Sequence, residues 1–238
     1  MPAKPSAGNT APSSFLHLLQ FSDGLFPAGG YAHSFGLETL VQSGRVQDAA
    51  GVATFLRAHL EYSAAPTDAV LVLAAQKAAQ AQDLAGCLRL DQLTEALKIA
   101  AEAREASRQM GRQTLRILND LARAPFVSRY TAQVEQGAAS AHHPVVFGIA
   151  AAAMDWRPEE TAGAFLYSTS ALIVGASLRL LPLGQLAGQQ ILWGLTPLIA
   201  SLSQSVQSAT EDDIWSFAPE IEIAAMQHES LDARLFRS

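Results

Sequence analysis

The chain is 238 residues long, 49% hydrophobic and only 16% charged, which suits one domain with a substantial core. A formal net charge of −6 argues against a general nucleic-acid binder, which would be basic. The single cysteine, Cys87, excludes an intrachain disulfide and any multi-cysteine metal site, and its apolar setting reads as a buried structural thiol.

Residues 1–14 are rich in Pro, Ala, Ser, Gly and Thr, lack an apolar signal-peptide core, and read as a disordered start. Ser13 and Ser14 suit the cap of a short helix through Gln20, and Ser22-Asp23-Gly24 marks a turn. The most irregular stretch follows, Phe26-Pro27-Ala28-Gly29-Gly30-Tyr31-Ala32-His33-Ser34-Phe35-Gly36-Leu37-Glu38. Gly29 and Gly30 tolerate positive φ and allow a sharp turn beside Tyr31, His33 and Ser34. Such a loop is either a functional surface or an interhelical connection plugged by its own aromatics. Ser34 reads as the N-cap of the next helix, with Glu38 in its first turn and Gly44 at its end.

Asp48 opens a helix with Val52, Phe55, Leu56, His59 and Leu60 on one stripe, and Pro66-Thr67-Asp68 opens another reaching about Ala81. The clearest helical pattern runs from Leu88 to Ala122, with Ile99, Ala103, Ala106, Met110, Ile117 and Leu121 as an apolar seam. On its other faces Arg104, Arg108, Arg112 and Arg116 recur every four residues, either as a solvated face or as a surface for phosphate or an acidic partner. Pro125 breaks this pattern; a short helix is expected over 128–139, then a buried one from Pro144 to Met154. Pro158 opens a helix to Leu181, and 184–208 forms the next, broken or kinked near Pro197. The apolar window from Gly163 to Leu178 is too short and too interrupted by Ser and Thr for a membrane span, so the expectation is a cytoplasmic protein without membrane or nucleic-acid partners.

From Glu211 to Ser238 seven acids face only Arg234 and Arg237. Ile221, Ala224, Ala225, His228, Leu231 and Leu235 make a helical stripe that either folds back on its own domain or is ordered by a partner. Residues 15–210 are therefore expected to form a single all-α domain of about ten helices, followed by a partner-binding arm over 211–238.

No catalytic set accompanies these elements. Ala32-His33-Ser34-Phe35-Gly36 approximates a nucleophile elbow, a remote serine-hydrolase alternative, but that chemistry needs a strand before the serine, and the residues before it cannot form one. Six histidines show no H-x-x-x-H spacing, and no phosphate-binding glycine motif is present, so neither a metal nor a nucleotide site of its own is expected. An arginine offered to a nucleotide on another protein fits the same residues.

Four stretches in order carry a family resemblance. They are the Phe26–Glu38 loop; Arg104-Glu105-Ala106-Ser107-Arg108-Gln109-Met110-Gly111-Arg112; Leu178-Arg179-Leu180-Leu181-Pro182-Leu183-Gly184-Gln185 with Gly188-Gln189; and the tail Phe217–Ile223, His228-Glu229 and Arg234-Leu235-Phe236-Arg237-Ser238. Together they resemble the urease accessory protein UreF family. The resemblance implies an all-α, commonly homodimeric, non-enzymatic chaperone for GTP-dependent nickel insertion. Such a protein joins UreD (also called UreH) and the GTPase UreG on apo-urease, with nickel and GTP handled by the complex. It also implies that Gly29, Gly30, Tyr31, His33 and Ser34 belong to the dimer and partner surface, and that Arg234 supports UreD binding. Arg104, Arg108, Arg112 and Arg179 are the arginines available to gate or activate UreG. Ile221, Ile223, Leu231, Leu235 and Phe236 are the tail's apolar contacts, each worth roughly 1.5–3 kcal/mol when buried.

Overall fold

The computed structural model describes residues 13–238; the expected disorder over 1–12 lies outside them, and Ser13 and Ser14 are already helical. The described residues form an all-α fold without strands. In chain order the helices are α1 (Ser13–Ser22), α2 (Leu37–Gln42), α3 (Ala49–His59), α4 (Val70–Gln80), α5 (Leu84–Leu97), α6 (Ala101–Ala122), α7 (Pro125–Glu135), α8 (His143–Ala153), α9 (Pro158–Leu180), α10 (Gln185–Ser205) and α11 (Pro219–Gln227).

Two apolar clusters make the core. One joins α3, α9 and α10 to α2 and α11 through Leu37, Leu56, Leu166, Ile173, Leu195 and Ile221. The other surrounds α8, whose Val145–Ala151 are all buried, with Leu71, Leu118, Tyr130, Trp156 and Phe165. Close approach is set by glycine: a Cβ on Gly148 would run into the Val72 carbonyl of α4, and one on Gly111 would enter the Ala141 carbonyl before α8. By length and composition alone α9 could cross a membrane, but it is half buried and packs chiefly on α10. Cys87 is buried, and burial pushes its thiol up to about 12, as befits a structural residue.

Some boundaries differ from the sequence expectations for identifiable reasons. The pattern expected to run unbroken from Leu88 to Ala122 is two helices, because Lys98 and Ala100 are extended. No breaker residue stands there. The break is held by side chains: Arg104 donates to the Lys98 and Ile99 carbonyls (2.8 and 3.3 Å), and Lys98 pairs with Asp68 at 2.9 Å. Ile99 and Leu121, expected on the buried seam, are exposed; Ser107, Gly111 and Thr114 are buried instead.

Pro66 does not open a new helix. The helical chain continues from α3 into α4 through a widened π-helical stretch, Leu60–Ala69. Pro66 has no N–H to donate within this stretch, and the Tyr62 carbonyl accepts the Phe217 N–H of the arm at 2.8 Å. Thr67 Oγ1 donates to the Trp215 carbonyl at 2.6 Å, so the π turn is also where the C-terminal arm enters the fold. Helix α7 begins at Pro125 and stops at Glu135, since proline suits a first helical turn as well as it stops a preceding helix. Helix α10 runs unbroken through Pro197.

Candidate functional site

The irregular loop meets the C-terminal arm, and most of the unusual chemistry collects there. Gly29 (φ 87°) turns the chain into a single 3-10 turn, Gly30–Ala32. Gly36 (φ 87°) precedes α2, where a Cβ would lie 3.0 Å from the Ile221 carbonyl and 3.1 Å from the Ala225 nitrogen of α11. Glycine therefore lets the arm's helix lie directly on the loop. Between them Phe35 holds φ 55°, a strained position for a bulky residue, with its ring between those of His33 and His59.

Main-chain and side-chain hydrogen bonds then stitch the arm down. The Arg237 N–H donates to the Ala32 carbonyl at 2.8 Å. Ser34 donates both its N–H and its Oγ–H to the Ser238 main-chain oxygen, the latter at 2.9 Å, while His33 Nδ1 meets Ser238 Oγ at 2.7 Å. Thr39 Oγ1 donates to the Ala224 carbonyl and Gln42 Nε2 to the Ala233 carbonyl, both at 2.8 Å. Ser34 is thus only partly the expected cap: Gly36 occupies the N-cap of α2, and Ser34 Oγ accepts the Glu38 N–H at 3.3 Å. Fully buried and hydrogen-bonded to the arm, Ser34 has none of the exposure or strand context of a nucleophile.

The centre of the junction is Glu38, whose carboxylate is buried. It accepts the Leu235 N–H at 2.7 Å and the Phe236 N–H at 3.1 Å, and lies 2.9 Å from His228 Nε2. On the other side of the ring, His228 Nδ1 is 2.7 Å from Glu102 of α6, and Glu102 accepts from Arg234 at 2.8 Å. Burial pushes the Glu38 carboxyl up, but the Leu235 N–H, His228 and the Phe236 N–H outweigh it and hold the group below its ordinary value. Burial holds His33 down to about 4, so its ring is neutral near pH 7. Phe236 is buried beneath Arg179, whose guanidinium stands 4.4 Å above the ring and donates to the Tyr31 carbonyl at 3.1 Å.

Of the residues singled out from sequence, Gly29, Gly30, Tyr31, His33, Ser34, Arg179, Ile221, Arg234, Leu235 and Phe236 converge on this junction. Tyr31, 70% exposed, and Leu235, 52% exposed, are the apolar side chains it leaves uncovered; Ile223 of α11 is likewise exposed, whereas Ile221 enters the core. Arg104 and Arg108 lie elsewhere and are occupied within the chain. Arg108 pairs with Glu95 and Glu105, and Glu95 also meets buried His142 at 2.8 Å. The Arg108 hydrogen bond is the main reason the Glu95 carboxyl falls to about 2. Arg112 is exposed and makes no side-chain hydrogen bond or ion pair among the described residues.

Sequence reasoning missed the roles of Glu38, Glu102 and His228: Glu38 reads as a first-turn acid and His228 as a stripe residue, and Glu102 is not singled out. The available signal was their location: Glu38 closes the irregular loop, and His228 sits among acids in a tail short of bases.

Beneath the loop a cavity of about 140 Å³ is lined by Phe35, His59, Met110, His143, Phe165 and Ile221, among others. Burial holds His59 and His143 down to about 4. Among the described residues no group of three or more His, Cys, Asp or Glu side chains is arranged to hold a metal ion.

The sequence is similar to those of known proteins. The family profile for UreF matches residues 46–196. The urease accessory protein UreF of Bacillus sp. (strain TB-90) is 30% identical over 223 residues, covering 94% of this chain and 98% of that protein. The UreF of Nostoc sp. (strain PCC 7120 / SAG 25.82 / UTEX 2576) is 32% identical over 224 residues, 94% of this chain and 96% of that protein. The UreF of Actinobacillus pleuropneumoniae serotype 3 (strain JL03) is 35% identical over 225 residues, 93% of this chain and 97% of that protein.

Proposed function

The chain belongs to the UreF family of urease accessory proteins, and from that premise we propose that it is a non-enzymatic chaperone of urease maturation. In this reading it bridges UreD and the GTPase UreG on apo-urease while nickel, the cargo, is delivered at the expense of GTP. It holds neither nickel nor GTP as a cofactor of its own, and it works in the cytoplasm as a homodimer.

The observation that carries this reading is the junction of the loop and the arm. The loop presents Tyr31 and the folded arm presents Leu235 and Ile223 outward, while Glu38, His228 and Phe236 fix the arm's backbone from below. Exposed apolar side chains on a rigid, hydrogen-bonded support are suited to gripping a protein, because little ordering remains to be done on contact. The chemistry nearby serves to position the arm: Ser34, Thr39, Gln42 and Arg179 bond to main-chain oxygens, and Glu38, Glu102, His228 and Arg234 bond to one another.

Reconstitution tests the reading. Apo-urease, UreD, UreG, nickel and GTP are expected to yield little active urease until this chain is added. Full activation without it would overturn the proposal. A GTPase-gating version is favoured only at Arg112, which is exposed, and at Arg179, which stands at the junction; Arg104 and Arg108 are tied to Glu95. Unchanged single-turnover GTP hydrolysis by UreG with Arg112→Ala and Arg179→Ala would remove that version. Sedimentation of the purified chain at monomer mass would remove the homodimer.

A further inference from the structure

The arm's attachment has a charge requirement set by geometry. His228 is fully buried and both of its ring nitrogens face carboxylate oxygens, Glu38 at 2.9 Å and Glu102 at 2.7 Å. A neutral imidazole has one N–H donor and one bare acceptor nitrogen. Set between two carboxylates, it would turn that bare lone pair toward an anionic oxygen at hydrogen-bond distance. An imidazolium donates to both.

The charges around the ring come from every element packed on it. Helix α2 supplies Glu38 and α6 supplies Glu102; the arm supplies Arg234, bonded to the far oxygen of Glu102, and Arg237, beside the loop's His33. With His33 neutral, the two carboxylates balance the imidazolium and Arg234. Removal of the His228 proton leaves two buried or half-buried anions facing Arg234 and a lone pair. The ring's own element would then be pushed off α2 or α6. The arm beyond it hangs on the same carboxylate, since Glu38 also holds the Leu235 and Phe236 N–H groups.

We infer that His228 is an imidazolium latch: protonated, it bridges Glu38 to Glu102 and holds the arm's partner surface in place, and loss of that proton releases residues 228–238. This regulates the docking surface proposed above and rests on that reading for its biological use, though the latch itself can be tested without a partner. The docked state needs His228 charged and Glu38 ionised together. Docking therefore weakens when either charge is lost.

The experiment uses the full chain labelled with ¹⁵N in its imidazole rings. At pH 7 the His228 ring is expected to show two protonated nitrogens, whereas a neutral tautomer would overturn the latch. Amide exchange at Leu235 and Phe236, corrected for intrinsic rates, is then followed from pH 6 to 9. A rise of at least tenfold in opening across that range is expected, with the α8 amides unchanged; pH-independent opening would overturn the latch. His228→Gln, which donates on one side only, should give high opening at every pH with helical content retained. Should arm opening follow pH while UreD capture does not, the latch stands and the docking reading fails. Should capture prove insensitive to His228→Gln because the arm never opens, the latch fails.

Discussion

Glu38 illustrates how a residue of ordinary helical appearance comes to hold a structure together. A buried carboxylate is costly unless it is fully hydrogen-bonded, and here two arm N–H groups and one imidazole satisfy it. Glu38→Gln keeps the size but removes the charge, so arm docking should weaken by about 2–3 kcal/mol, read as faster amide exchange at Leu235 and Phe236. An unchanged exchange rate would show that Phe236 burial alone secures the arm. At His59 the pH dependence follows from burial. Its ring is buried and held down to about 4, so the folded chain favours the neutral form. Above the ordinary 6.5 neither folded nor unfolded ring is charged. As pH falls from about 6.5 toward about 4, only the unfolded chain binds the proton, and stability drops by on the order of 3 kcal/mol for this ring. Thermal midpoints measured between pH 7 and 4.5 should fall less steeply for His59→Leu than for the native chain.

The secondary structure was largely legible wherever proline, glycine or a cap supplied local chemistry. Asp48 caps α3, Pro144 and Pro158 sit in first turns, and Gly44 follows α2 at positive φ. What could not be read were features made by distant partners. The break between α5 and α6 comes from Arg104 reaching back to carbonyls and Lys98 reaching across to Asp68, and no residue at 98–100 announces it. The π stretch was hidden because Pro66 reads locally as a helix start; its cost is offset by an arm N–H some 150 residues away in sequence. Pro66→Ala returns an N–H to this stretch and should favour the i→i−4 register, in which the Tyr62 carbonyl is taken by the helix and the Phe217 amide exchanges faster. Glycine sets the tightest helix approach. Gly111→Ala places a methyl group in the Ala141 carbonyl and should cost more than about 3 kcal/mol in denaturant unfolding. Gly175→Ala, in an open part of α9, should instead stabilise by about 0.5–1 kcal/mol.

At the scale of the whole molecule, the loop and the arm lie far apart in the sequence and are brought to one place. The two stretches were each recognisable, but their contact was not, because Glu38, Glu102 and His228 are separated by up to 190 positions and carry no shared pattern. The arm was readable only as a stripe that must bury somewhere; the structure buries Ile221, Ala224 and Phe236 on the chain itself and leaves Ile223 and Leu235 outward. That division is what a docking element requires, one face to anchor it and one to offer. The proposed docking of UreD on this offered face is tested by the affinity of UreD for the chain with and without Arg234–Ser238. Deletion should weaken the complex at least tenfold with the far-ultraviolet helical signal retained; equal affinity for the two chains would overturn the proposal.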